Sequence, residues 1–338
     1  MSEPRKHHYI PVFYQKHFVN ANGLIWVYDR QEKVYRELPP KVLCCQKDLY
    51  ALKPKDAPKD QRVESQAFGF ADAKCASALR ELVTGKMPAD LSTLETIAYF
   101  VGLQCSRLPS SGEMVSQVYK RGVEEMMRLT TVSVDRMKSV IERYSKQTGE
   151  TVDVSPESLI EAVRGNHVKL VVTERPFIEH IFQHADFLSK MFLEMSWDIL
   201  AAPPETGFIL CDDPLAIVPP KGCEQIGVGI PGAVKYFPLA RQFCLRLGDK
   251  GNTLRYRKVD RQTVRIINQN IASNSERFIM GPVQEQVARV VKGSSSVDMH
   301  PSPRFAHETV KKDDNESLQM LTRNPRRYFY AAGASESP

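Results

Sequence analysis

The residues from Lys6 to Phe18 place His7, His8 and His17 among Tyr9, Phe13, Tyr14 and Phe18 with Pro11 between them. Histidine changes charge near neutral pH, so this density of imidazole points to proton transfer or metal binding. A second chemical feature is the carboxylate of Asp212. It follows the apolar run Phe208-Ile209-Leu210, and the end of a buried strand holds a side chain rigidly while opening it to solvent. His180 and His184 stand four apart on an amphipathic pattern, a spacing that brings two imidazoles to one metal. The glutamate of the H-E-x-x-H motif is absent, because Ile181 follows His180, and an ordinary helix surface is the expectation there.

The elements that must position these groups are legible in outline. Residues 23–28 and 33–38 are two β-branched and aromatic runs around Asp29-Arg30-Gln31-Glu32, the pattern of a hairpin that Pro39-Pro40 stops. A polar, proline-bearing loop is expected over 53–61. From Val63 to about Leu193 the apolar period approaches four, marking a helical block. Within it, Ser92-Thr93-Leu94-Glu95 reads as a capping box ahead of a helix, and Ser155-Pro156 as a cap followed by proline in the first turn. Further helices are expected over 112–129, 133–145 and from about Pro176. Short strands follow over 196–200, 207–210, 235–239, 242–247 and 255–259, and then a helix from Arg261 to Phe278 capped by Asp260. Helices between strand-rich ends predict an α+β fold, with N- and C-terminal strands in one small sheet and a single domain over 1–291. Ser, Pro, Lys and Asp dominate 292–338, which is expected to be a mostly disordered tail.

Composition narrows the function classes. The chain has 338 residues, 42% of them hydrophobic and 25% charged, and its formal net charge of +6 is spread rather than gathered into one arm. Such a charge permits nucleic-acid contact without requiring it. Seven cysteines without C-x-x-C spacing argue against a zinc ribbon or a disulfide framework, and suit reduced thiols in the cytoplasm. No run approaches the ~18 apolar residues of a membrane span, so no membrane partner is expected. Gly227-Val228-Gly229-Ile230-Pro231-Gly232 lacks the Lys-Ser/Thr of a phosphate-binding P-loop and reads as a turn.

Six segments in order resemble the bacterial domain-of-unknown-function family 4238. They are His8-Tyr9-Ile10-Pro11 through Phe18, Leu24 through Arg30, Leu103-Gln104-Cys105-Ser106-Arg107-Leu108-Pro109, Phe208 through Pro214, Tyr236-Phe237-Pro238-Leu239, and Asn268 through Phe278. The chain departs from that pattern at Gln15, His17, Cys211 and Asp213. The resemblance implies architecture more than reaction, and links the chain to candidate antiviral defence genes of bacteria, where a toxin-like effector such as a nuclease is expected.

With these segments in view, His8 and Asp212 are the catalytic candidates, His8 as general base and Asp212 orienting it or binding a divalent cation such as magnesium. Gln104, Arg107, Asn268 and Arg277 are candidates for holding phosphate or substrate, and Glu64 is a second carboxylate for the cation. The competing reading is a non-catalytic sensing or binding protein, in which His8, Asp212, Asn268 and Arg277 form a buried network that ties the chain ends together. The aromatic set of the opening stretch reads as core rather than as a base-stacking platform.

Overall fold

A computed structural model describes residues 6–52, 59–86, 90–165, 167–168, 170–223, 227–251, 253–294, 306–312, 315–322 and 328–330, with the backbone alone described for 306–322. In chain order the strands are β1 (Lys6–His8), β2 (Ile25–Asp29), β3 (Val34–Leu38), β4 (Cys45–Lys47), β5 (Met195–Ala201), β6 (Leu210–Cys211), β7 (Ala216–Val218), β8 (Val234–Ala240), β9 (Phe243–Lys250), β10 (Leu254–Lys258), β11 (Phe278–Gly281), β12 (Ala306–Lys312) and β13 (Asn315–Thr322). The α-helices are α1 (Val12–Gln15), α2 (Gly69–Leu82), α3 (Leu91–Ser106), α4 (Pro109–Thr130), α5 (Val134–Thr148), α6 (Pro156–Arg164), α7 (Arg175–Leu193), α8 (Arg261–Asn274) and α9 (Gln284–Ser294). The fold is α+β with a large helical block.

Strands from both ends of the sequence meet in one sheet of order β3-β2-β11-β6, antiparallel throughout. The hairpin is closed by Asp29, whose Oδ1 accepts from the backbone N–H groups of Gln31 and Glu32. This is the local bonding that makes aspartate a turn former. A second sheet runs β10-β5-β9-β8-β7, with only β10 and β5 parallel.

Because side chains alternate across a strand, each sheet feeds two cores. One face, including Val27, Leu210, Met280, Ile199, Leu245 and Phe237, packs on α2, α3 and α7. The opposite face, including Ile209, Cys211, Ile279, Leu200 and Cys244, packs on α8 and α9. The opening stretch belongs to the first core. Tyr14 and Phe18 are fully buried, and Tyr14 stacks on Phe237 at 5.4 Å while its hydroxyl donates to the carbonyl of Pro238. The aromatics are therefore core, as their types suggested. Gly102 of α3 lies so close to α7 that a Cβ there would come within 2.6 Å of the Ala185 carbonyl oxygen.

Caps follow side-chain chemistry, with two corrections. Ser133, Ser155 and Asp260 accept from the N–H groups of Arg136, Ser158 and Thr263. The cap of α3 is Asp90 rather than Ser92. Its carboxylate accepts from the Thr93 N–H and the Ser92 hydroxyl, drawing Ser92 into the first turn. Helix α8 ends at Asn274, four residues short of the expected end, and Phe278 opens β11.

None of the seven cysteines is joined in a disulfide. No described helix is long and apolar enough to cross a membrane. The loop expected over 53–61 lies mostly outside the described residues, as does most of the tail expected over 292–338. The described part of that segment completes α9, forms the antiparallel pair β12 and β13, and docks at Phe329 and Tyr330. There the Asn270 side chain brackets the Phe329 backbone, and the Tyr330 hydroxyl donates to the Pro219 carbonyl.

Candidate functional site

The opening strand β1 pairs with β4 and alternates, so that its two histidines part company. His7 turns inward. It is fully buried, accepts the Tyr50 N–H on Nδ1 at 2.9 Å and stacks on the Tyr50 ring. His8 is half-buried, with Nε2 at 3.1 Å from the Lys41 carbonyl oxygen. Burial, first, and the Arg107 charge hold His8 below the usual imidazole range, so the ring is neutral at pH 7.

Behind His8 lies a charged cluster. Glu64 sits in a wide helical turn of π type over Val63–Phe68, and its Oε1 accepts the His8 N–H at 3.4 Å. Its Oε2 is buried with no hydrogen-bond partner among the described residues. Burial pushes this carboxyl up to about 7. Arg107 is fully buried, donating from Nε to the Tyr9 carbonyl and pairing with Asp72 at 3.2 Å. Its guanidinium also lies over the Phe68 ring. Gln104 is fully buried on α3.

Asp212 belongs to a different neighbourhood. It is buried at the end of β6, where Oδ1 accepts the Glu276 N–H at 2.8 Å and Oδ2 accepts the Arg277 N–H at 2.7 Å. Burial, and then the Glu276 carboxylate beside it, raise Asp212 well above the usual carboxylate range; the backbone donors oppose this and lose. Arg277 grips Asp29 through Nε and Nη2, at 3.0 and 2.7 Å. Asn268 clips the chain before β6, accepting from the Ile209 N–H and donating to the Gly207 carbonyl.

The structure thus divides the predicted set. His8, Glu64 and Arg107 form one cluster, whereas Asp212 and Arg277 form another, and the expected His8–Asp212 pairing is replaced by separate partners for each. The two clusters abut at Tyr9, whose carbonyl is held by Arg107. The Tyr9 phenol is bonded to the Cys44 thiol and feels the fields of Asp212 and Glu276. Asn268 acts on backbone alone. The magnesium expected at Glu64 and Asp212 does not match the donor set: among the described residues no group of three or more His, Cys, Asp or Glu side chains is gathered to hold a metal. His180 and His184 stack at 4.8 Å, and His184 faces the Ser106 hydroxyl. Burial, first, and His180 depress His184 to about 4.

The second cluster opens onto a cavity. A cavity of about 550 Å³ is lined by Tyr9, Asp29, Arg36, Cys44, Pro109, Asp212 and the run Glu276-Arg277-Phe278, among others. Its size suits a ligand of nucleotide dimensions. Cys44 adopts φ +49, a conformation rarely held by a side-chain-bearing residue, and its carbonyl accepts the Tyr9 N–H. Sequence reasoning passed over Asp29, Cys44 and Glu276 as site residues. Asp29 and Glu276 lie inside segments already singled out, whereas nothing in the local sequence marks Cys44.

A family model described as "Protein of unknown function (DUF4238)" matches residues 6–283. No curated protein and no solved structure matches the chain. The matched span contains every residue named at the cavity, and the chain belongs to this family.

Proposed function

We propose that this member of the DUF4238 family is an effector that acts on nucleic acid in bacterial antiviral defence, with its chemistry in the cavity between Tyr9 and Glu276. One observation carries this reading. Tyr9, Asp29, Pro109, Asp212 and Glu276 through Phe278 come from five separate segments and line one cavity. Five of the six segments that stood out in the sequence converge there.

In this reading Glu276 takes a proton from water as the water oxygen bonds to phosphorus. Asp212, in the protonated form that its burial favours, gives its proton to the oxygen that leaves as the phosphorus–oxygen bond breaks. Arg36 and Arg277 meet the phosphate charge, Arg277 after exchanging part of its contact with Asp29. His8 loses the general-base role to Glu276, because its ring is directed to Lys41 rather than to the cavity. The test is incubation of the purified protein with RNA, single-stranded DNA and duplex DNA, with and without magnesium or manganese. Cleavage or modification that Glu276→Gln abolishes at unchanged Tm is expected. No reaction on any substrate, together with full phage protection by Glu276→Gln, overturns the proposal.

A second reading is favoured by the saturation of the groups themselves. Both Asp212 oxygens are engaged and Arg277 is held by Asp29, which suits a non-catalytic sensing protein with a structural lock. Under that reading Glu276→Gln keeps the cellular effect, whereas Asp212→Ala loses it in step with Tm.

A further inference from the structure

A larger and more strongly charged cavity, about 850 Å³, lies between α8, α9 and the turn before β6. Its walls carry Arg241, Arg261, Arg265, Arg289 and Lys292 against the single carboxylate of Glu205, five positive charges to one negative, a net of +4. Glu205 is occupied by Arg261 at 2.6 Å. Arg241, Arg265 and Arg289 have no carboxylate partner among the described residues, and the Nε of Arg241 is buried without a hydrogen-bond partner.

The groove is rigid. The Gly207 carbonyl accepts from both the Asn268 and Gln286 amides, which joins the turn to α8 and α9. Gly207 also lets the Arg241 side chain lie against the backbone, since a Cβ there would come within 2.7 Å of the Arg241 Cγ. Like charges gathered in a fixed concavity repel one another, and a polyanion relieves that repulsion on binding.

We propose that this groove binds consecutive phosphates of a nucleic-acid strand. The inference rests on the reading that nucleic acid is the substrate, and assigns the surface that holds it. Gly207 and Asp212 are joined by five peptide steps, so the groove wall and the acid–base cavity are no more than about 18 Å apart along the chain. The groove and the cavity lie on opposite faces of the first sheet, so a strand held in the groove would pass around its β6 edge to reach Glu276. The groove lining includes no aromatic side chain on which bases could stack, and its arginines are assigned to backbone phosphate.

The experiment is fluorescence anisotropy with the full-length protein and short labelled RNA, single-stranded DNA and duplex DNA over a salt series, with pyrophosphate as competitor. Binding that weakens with salt, at a slope of about −0.7 per phosphate contacted on a single strand, is expected. Arg265→Ala with Arg289→Ala weakens binding about tenfold or more and makes the single-strand slope shallower by about 1.4. The double lysine variant retains both, and Tm is unchanged because both arginines are exposed. Wild-type binding by the double alanine variant, or pyrophosphate competing as tightly as a strand, overturns the groove assignment. The cavity reading fails separately if strands bind the groove and are never altered.

Discussion

Substituting Glu64 by glutamine separates charge from shape at a buried carboxylate oxygen that has no hydrogen-bond partner among the described residues. The ordinary value for this group is 4.5, and burial lifts it to about 7. A carboxyl raised in the folded state binds its proton more tightly there than in the unfolded chain. Its favourable contribution is complete below pH 4.5 and is lost as pH rises through 7. Two and a half pH units at about 1.4 kcal/mol each bound the loss at about 3.5 kcal/mol, and partial exposure of the residue reduces that to about 2 kcal/mol. Glutamine keeps the acceptor for the His8 N–H and carries no charge. Glu64→Gln is therefore expected to match wild type at pH 4.5 and to exceed it by about 2 kcal/mol at pH 8. The measurement is urea denaturation of both proteins at the two pH values. The difference between proteins at each pH cancels the titration of Asp212, which follows the same sign. A variant destabilised equally at both pH values, or more at pH 8, refutes the reasoning, because Arg107 would then be stabilising an ionised Glu64.

Two further outcomes test the scaffold. Asn268→Leu removes a donor and an acceptor and leaves the Ile209 N–H buried without its partner, so a loss of about 2–3 kcal/mol is expected in chemical denaturation; a change below about 0.5 kcal/mol would show that the clip is dispensable. Gly102→Ala puts a methyl group against the Ala185 backbone, which neither rigid helix can yield cheaply. It should lower stability by about 1–3 kcal/mol, seen as a fall in Tm, whereas a neutral result would mean that α3 and α7 pack with more slack than their spacing implies.

Much of the fold was legible because its signals are local. The hairpin around Asp29, the Ser155 cap of α6 and the Asp260 cap each depend on residues two or three apart. The end of α8 was not. Continuing the helix requires the N–H groups of Glu276 and Arg277 to bond within it, and Asp212, 64 and 65 residues away, takes both. The grouping of the candidate residues was hidden for the same reason. The types at positions 8 and 212 were sound chemistry, but single-strand alternation sends His8 toward Lys41, a partner 33 residues distant. Arg277 was chosen for phosphate, and its first partner is Asp29. Neither pairing is written in any window of sequence, and the left-handed Cys44 that shapes the cavity wall carries no glycine or asparagine to announce it.

The closure of the first sheet has a consequence for the timing of synthesis. Arg277 and Asp29 are 248 residues apart, and the cavity has walls from residue 9 to residue 278. At about 5–20 residues per second, ribosomes need tens of seconds between making the first wall and the last. Throughout that interval the edge of β2 lacks β11 and no cavity exists. A chain built in this way has no cavity while nascent, and a fragment that stops before β11 never completes it. The topology itself therefore sets when the cavity can form.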